Sequence, residues 1–135
     1  MTKRFMRGLP ALLLVLALPA TAQTADANGT VSKQVATASA HAGMALGAAD
    51  LATAHTHLHH VVNCLVGPEG KGFDAKAGNP CKDVGQGAIV DAKGDTAVEA
   101  RLRTALGQAE QGLKTTTLPA AHADAKQAME TLQAK

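Results

Sequence analysis

Aromatic residues are nearly missing from this chain: 135 residues contain no Trp, no Tyr and two Phe. Phe5 falls in an N-terminal leader, so the remainder has only Phe73. That scarcity argues against a base-stacking surface for single-stranded nucleic acid. It also leaves a poor wall for haem, although His122, His59 and Met44 offer the donor atoms of axial ligands in a helical bundle.

Catalytic signatures are missing as well. There is no nucleophile elbow, phosphate loop, dinucleotide fingerprint or H-E-x-x-H, and no C-x-x-C-H haem attachment. Ser32 and Ser39 are the only serines, both in an expected helix. Asp83, Asp91, Asp95 and Glu99 are scattered over a loop and a helix start, where solvation and capping account for them. These features point to a non-enzymatic protein.

Long apolar runs are limited to one. Lys3, Arg4 and Arg7 precede an apolar stretch from Leu9 to Leu18, and Ala20-Thr21-Ala22 supplies small residues for cleavage. This is the pattern of a signal peptide, residues 1–22, cut after Ala22. The stretch is shorter than the roughly 20 residues a membrane span needs, and no membrane insertion is expected. Cleavage of 22 residues from 135 leaves 113. Three of the 13 basic residues leave with the leader, so ten basic face eleven acidic side chains and the net charge is −1. The basic precursor therefore gives no argument for nucleic acid. The expected location is periplasmic or secreted.

Cysteine is limited to Cys64 and Cys81. In an exported chain such a pair reads first as a disulfide, closing a loop of about 16 residues at about 3 kcal/mol of chain-entropy stabilisation. The alternative is a pair of thiols kept reduced for metal or redox work.

What the chain does have is alanine, glycine and histidine. Residues 23–30 are small and polar and read as a flexible N-terminus, followed by one helical domain over 31–135. No proline occurs between Val31 and Val66, where Leu51, Leu58, Val62 and Leu65 recur at helical spacing with Met44 on the same side. Gly67-Pro68 ends this segment. Residues 67–94 are a glycine-rich loop that Cys81 would pin to the helix end, with Phe73 over the core. A second helix follows Asp95 as N-cap, with Val98, Leu102, Leu106, Ala109 and Leu113 as its stripe. A third opens at Leu118-Pro119 and carries Leu118, His122, Ala125, Met129 and Leu132. The expected class is all-α, a long helix plus two shorter ones. A kink at Gly43 or Gly47 would make it a four-helix bundle instead. In the unkinked form the N-terminal half of the long helix lacks partners, which invites a homodimer.

The densest feature is Ala54-His55-Thr56-His57-Leu58-His59-His60, which holds four of the six histidines. On one helix His55 and His59 can chelate an ion at i, i+4 beside the apolar stripe. His57 and His60, three apart, point nearly the other way as a weaker, exposed pair. His41 lies 14 residues before His55, about 21 Å along a continuous helix, too far to share its ion. His122, inside an apolar stripe, and Met129 are candidates to complete the first pair. Imidazoles with a thioether suit copper or zinc, then nickel. A lone His on an apolar face such as His122 is more often a core histidine bonded to a carbonyl, Met129 more often core filler, and His57 and His60 more often solvated side chains. Cys64 is a ligand only if it is not oxidised.

The segment HLHHVVNCLVGPEGKGFDAKAGNPC, His57 to Cys81, resembles one found in small exported proteins of Gram-negative bacteria. It covers roughly a fifth of the chain. The resemblance implies that the histidine run, Asn63, both cysteines and Phe73 form one structural unit, and it implies a periplasmic location. It carries no activity. Two functions remain open. One is reversible binding of a transition metal, copper or zinc first. The other is a helical interaction module, with a homodimer or periplasmic protein as partner and histidines that are interfacial or pH-responsive.

Overall fold

The long helix expected over 31–66 is two helices. A computed structural model describes the backbone from Thr21 to Lys135 and side chains from Ala27 onward. In it α1 (Thr21–Leu46) stops where Gly47 N–H reaches back to the Gly43 carbonyl at 3.0 Å. Asp50, in extended conformation at φ −144°, then caps α2 (Leu51–Val66). Its carboxylate accepts from Thr53 N–H and from the Thr53 hydroxyl, each at 2.8 Å. These bonds hold the Asp50 carboxyl below the usual carboxylate range. An acceptor at N-cap satisfies donors that a helix start leaves orphaned, so Asp50 favours a new helix over a continued one. α1 also runs through residues 23–30, in place of the expected flexible N-terminus. The expected leader lies outside the described residues, apart from Thr21 and Ala22 at the start of α1.

α2 ends where Gly67, at φ +72°, returns its N–H to the Asn63 carbonyl. Gly67 must be glycine for a second reason: a Cβ there would lie 1.8 Å from the Gln86 carbonyl oxygen. The long loop thus returns across the α2 terminus before a single turn, α3 (Ala88–Asp91). α4 (Thr96–Lys114) is capped by Asp95, which accepts from Val98 N–H at 3.1 Å. α5 (Leu118–Gln133) has Pro119 in its first turn, where the missing N–H is harmless. The structure is all-α, with no strand among the described residues.

α1 packs on α2 and α5, and α4 packs on α5 and α2. The N-terminal half of the expected long helix is therefore not left without partners. Among the described residues, twelve of the 23 that are buried and apolar are alanine, and only Leu58, Leu65, Leu102, Val61 and Val62 are large apolar side chains that are fully enclosed. Each methyl buries little area, so close backbone approach has to stand in for bulk. Phe73 packs against the edge of this core, whereas Met44, expected on the apolar stripe, is 51% exposed. The Cys64–Cys81 disulfide is formed and ties the loop to the last turn of α2.

Candidate metal centre

The break at Gly47 folds α2 back along α1, and that reversal builds the site. His41 on α1 and His57 on α2 stand at matching distances from the turn. His60 lies one further helical turn along the same face of α2. Nδ1 of His41 is 3.1 Å from Nδ1 of His57 and 3.3 Å from Nδ1 of His60. Ring centroids lie 4.6 Å apart for His41 and His60, 5.4 Å for His41 and His57, and 5.7 Å for His57 and His60. One ring nitrogen from each residue lies within 4.8 Å of the other two. Two nitrogens bound at about 2.05 Å to one tetrahedral ion would be separated by about 3.3 Å. The two observed Nδ1 separations lie close to that value.

His60 is further specified by its outer nitrogen. Its Nε2 sits 2.6 Å from the Ala77 carbonyl oxygen. A carbonyl only accepts, so Nε2 carries the proton and Nδ1 presents a lone pair towards His41. This is the outer-sphere contact that metal-bound histidines habitually make. Ala77 is held in turn by Asn63, which is fully buried and grips the residues around it. The Asn63 amide donates to the carbonyls of Asp74 (2.8 Å) and Gly78 (2.6 Å), and its oxygen accepts from Asp74 N–H at 2.8 Å.

Electrostatics favour the neutral ring at His41 and at His57. Burial holds the His41 imidazole below the usual histidine range, and His60 and then His57 push it the same way. Burial, followed by His60, lowers His57 as well. Neutral imidazole is the ligating form. Without an ion the three Nδ1 atoms are poorly matched: one His41 Nδ1 proton cannot serve both neighbours well.

The other candidates lie apart from this cluster. His59 Nδ1 faces Asp74 at 3.7 Å, beyond hydrogen-bond distance, and His55 Nε2 is enclosed without a hydrogen-bond partner among the described residues. Neither joins a group of three possible ligands among the described residues. His122 Nε2 bonds the Ala48 carbonyl at 3.0 Å, in the manner of a core histidine. Met129 packs on α1, with Sδ 3.5 Å from where a Gly43 Cβ would stand. Cys64 is oxidised and is no ligand. The pair expected to be weaker and exposed, His57 and His60, is the one brought together with a third histidine.

His41 is the residue that sequence reasoning places out of reach. The signal that could have found it is Gly47 followed by Asp50-x-x-Thr53, a stop and a cap inside an otherwise uncharged alanine-rich run. Three surface clefts of about 570, 520 and 590 Å³ are lined by other residues, none of them histidine. Comparison of the chain with protein-family models, curated proteins and solved structures found no match.

Proposed function

We propose that this chain is a small exported protein, periplasmic in location, that reversibly binds one transition metal ion through His41, His57 and His60. The observation that carries the reading is the convergence of three Nδ1 atoms at 3.1 and 3.3 Å. Two are on neighbouring turns of one helix and the third is on another, so the spacing is a property of the packed hairpin. Three neutral imidazoles favour Zn²⁺ or Cu²⁺, with Ni²⁺ behind, over cations that prefer oxygen ligands. Cu⁺, which favours thiolates and thioethers, is less well served. Three protein ligands leave a coordination position for water or for a group on a receiving molecule. The half-buried setting of the rings suits exchange better than permanent storage. The role is uptake and release, as in buffering or delivery, rather than catalysis.

The test is Zn²⁺ and Cu²⁺ titration of the protein against a competing chelator, followed by thermal melting. The reading expects one ion per chain and a rise in Tm that His41→Ala removes. A protein that gives up the ion to a weak chelator, or whose Tm is indifferent to metal, would reject it.

A second reading has its own observation. The same three rings lie in mutual contact between α1 and α2, so their protonation would bring like charges together. A helical interaction module loosened in mild acid would use that contact without metal. Its mark is a change in solution mass between pH 5 and 8 in the presence of a chelator.

A further inference from the structure

We propose that the Cys64–Cys81 disulfide governs the metal affinity of the His41–His57–His60 centre, so that reduction of the disulfide releases the ion. This rests on the reading of the three histidines as a metal site and adds its regulation.

The connection is short and continuous. His60, Asn63 and Cys64 occupy one turn of α2, and each is tied to the same stretch of loop. His60 Nε2 meets the Ala77 carbonyl at 2.6 Å. Asn63 grips the backbone of Asp74 and Gly78 with three hydrogen bonds of 2.6 to 2.8 Å. Cys64 is bonded covalently to Cys81. Asn63 therefore clamps the loop on either side of the Ala77 carbonyl, at Asp74 and Gly78, and the disulfide holds it again three residues on at Cys81. The turn needs Gly78, whose φ of +90° suits no β-carbon and whose Cβ position is 3.8 Å from His60 Nε2.

The carbonyl does two things for His60. It fixes the ring plane, and it keeps the proton on Nε2 so that the Nδ1 lone pair is free for the ion. A loop released at Cys81 leaves Ala77 placed only through the bonds of Asn63 to its neighbours Asp74 and Gly78. His60 then samples the other tautomer and other rotamers, and one of three ligands is no longer preorganised. Asn63 and Ala77 are thus positioning residues that act through His60.

The chemistry is an ordinary exchange. A dithiol in thiolate form attacks one sulfur of the pair and forms a mixed disulfide, which its second thiol resolves. The Cys64–Cys81 bond breaks, two electrons and two protons pass to the protein, and the dithiol leaves as its own disulfide. Cys64 is fully buried and Cys81 is 4% exposed, so attack requires the loop to lift. An ion on His60 holds that loop down through the Ala77 contact. Coupling of this kind is reciprocal: reduction weakens metal binding, and metal binding protects the disulfide.

The experiment uses Zn²⁺ alone as probe and a water-soluble phosphine as reductant. The phosphine cleaves the disulfide to two thiols and becomes its oxide with oxygen from water, avoiding the zinc chelation of a dithiol. Zn²⁺ affinity is measured by chelator competition for four proteins: oxidised, phosphine-reduced, Cys64→Ala/Cys81→Ala and Gly78→Ala. The last three should bind about 10- to 100-fold more weakly, the range typical of lost outer-sphere partners. Zn²⁺ should also slow phosphine reduction of the wild-type protein. Nitrogen-15 shifts of His60 should report a fixed Nε2–H form in the oxidised protein and a tautomer mixture in Gly78→Ala. Equal affinity in the oxidised protein and in Gly78→Ala, with reduction rates indifferent to Zn²⁺, overturns the coupling and leaves the metal reading standing. Tighter Zn²⁺ binding by the reduced protein, through thiolates, also overturns it. Absence of Zn²⁺ binding by the oxidised protein overturns the metal reading itself. Gly78→Ala alters a partly exposed turn outside the core, so it tests the coupling even if the double alanine variant fails to fold.

Discussion

His41 Nδ1 lies 3.1 Å from His57 Nδ1 although 16 positions separate them in the chain. The contact exists because Asp50 restarts the helix that Gly47 lets end. It makes His41 the one member of the cluster contributed by α1, and so the best single probe of the site.

His41→Ala should weaken Zn²⁺ binding about tenfold or more, or about 1.4 kcal/mol and upward. The double change His55→Ala/His59→Ala should leave affinity within about threefold, which is about 0.6 kcal/mol. Isothermal titration with a competing chelator measures both. The reverse ranking would return the site to the pair on the other side of α2.

Acid should weaken both fold and site. His41 and His57 are held below the usual histidine range in the folded protein, so the unfolded chain binds more protons through that window. Their contribution to stability is therefore complete above the ordinary histidine value of about 6.5 and is lost as pH falls through the lower folded values. Metal-free Tm should drop on acidification from neutrality, and the drop should be shallower in His41→Gln. An acid limb equally steep in the variant would show that other groups dominate.

Asn63→Ala should be among the most damaging single changes. It strips partners from two carbonyls and one N–H of the loop inside a buried setting. With about 1 to 3 kcal/mol for each buried group left unpaired, partly offset by entering water, the expected loss is about 3 kcal/mol. Urea unfolding under oxidising conditions reads it directly.

Gln34→Met should raise stability by about 1 to 2 kcal/mol. Gln34 is fully buried on α1, and neither its amide nitrogen nor its amide oxygen finds a hydrogen-bond partner among the described residues. Methionine has similar length and no polar group to desolvate. A lower urea midpoint for the variant would mean that the amide is satisfied in solution.

Asp50→Ala should lower Tm, while Asp50→Asn, which can still cap, should do so far less. Because the cap sets where α2 begins, the alanine variant should lose zinc affinity together with stability. Parallel melting and titration separate this from a loss of fold alone.

Much of the architecture is legible in the sequence because period and punctuation agree. Gly67-Pro68, Asp95 and Leu118-Pro119 mark the ends and starts of α2, α4 and α5, and Cys64 pairs with Cys81 as expected. The α1–α2 turn is harder to see. Gly47 and Asp50 are single residues within an alanine-rich run of largely helical propensity, so the local stop and cap are faint, and the packing of α1 on α2 and α5 reinforces the reversal they start. The site inherits that difficulty. His57 and His60 are visible as a chelating pair from their spacing alone, but their third member depends on a tertiary contact. His122 reads either way in sequence, and its bond to Ala48 favours the core-histidine alternative.

The alanine-dominated core has a thermal consequence. Opening such a core hydrates little apolar surface, so the heat-capacity increment of unfolding should be small for the length of the chain. A small increment flattens the curve of stability against temperature. The protein should then lose stability slowly on both cooling and warming, with a broad melting transition and a cold-unfolding temperature far below the working range.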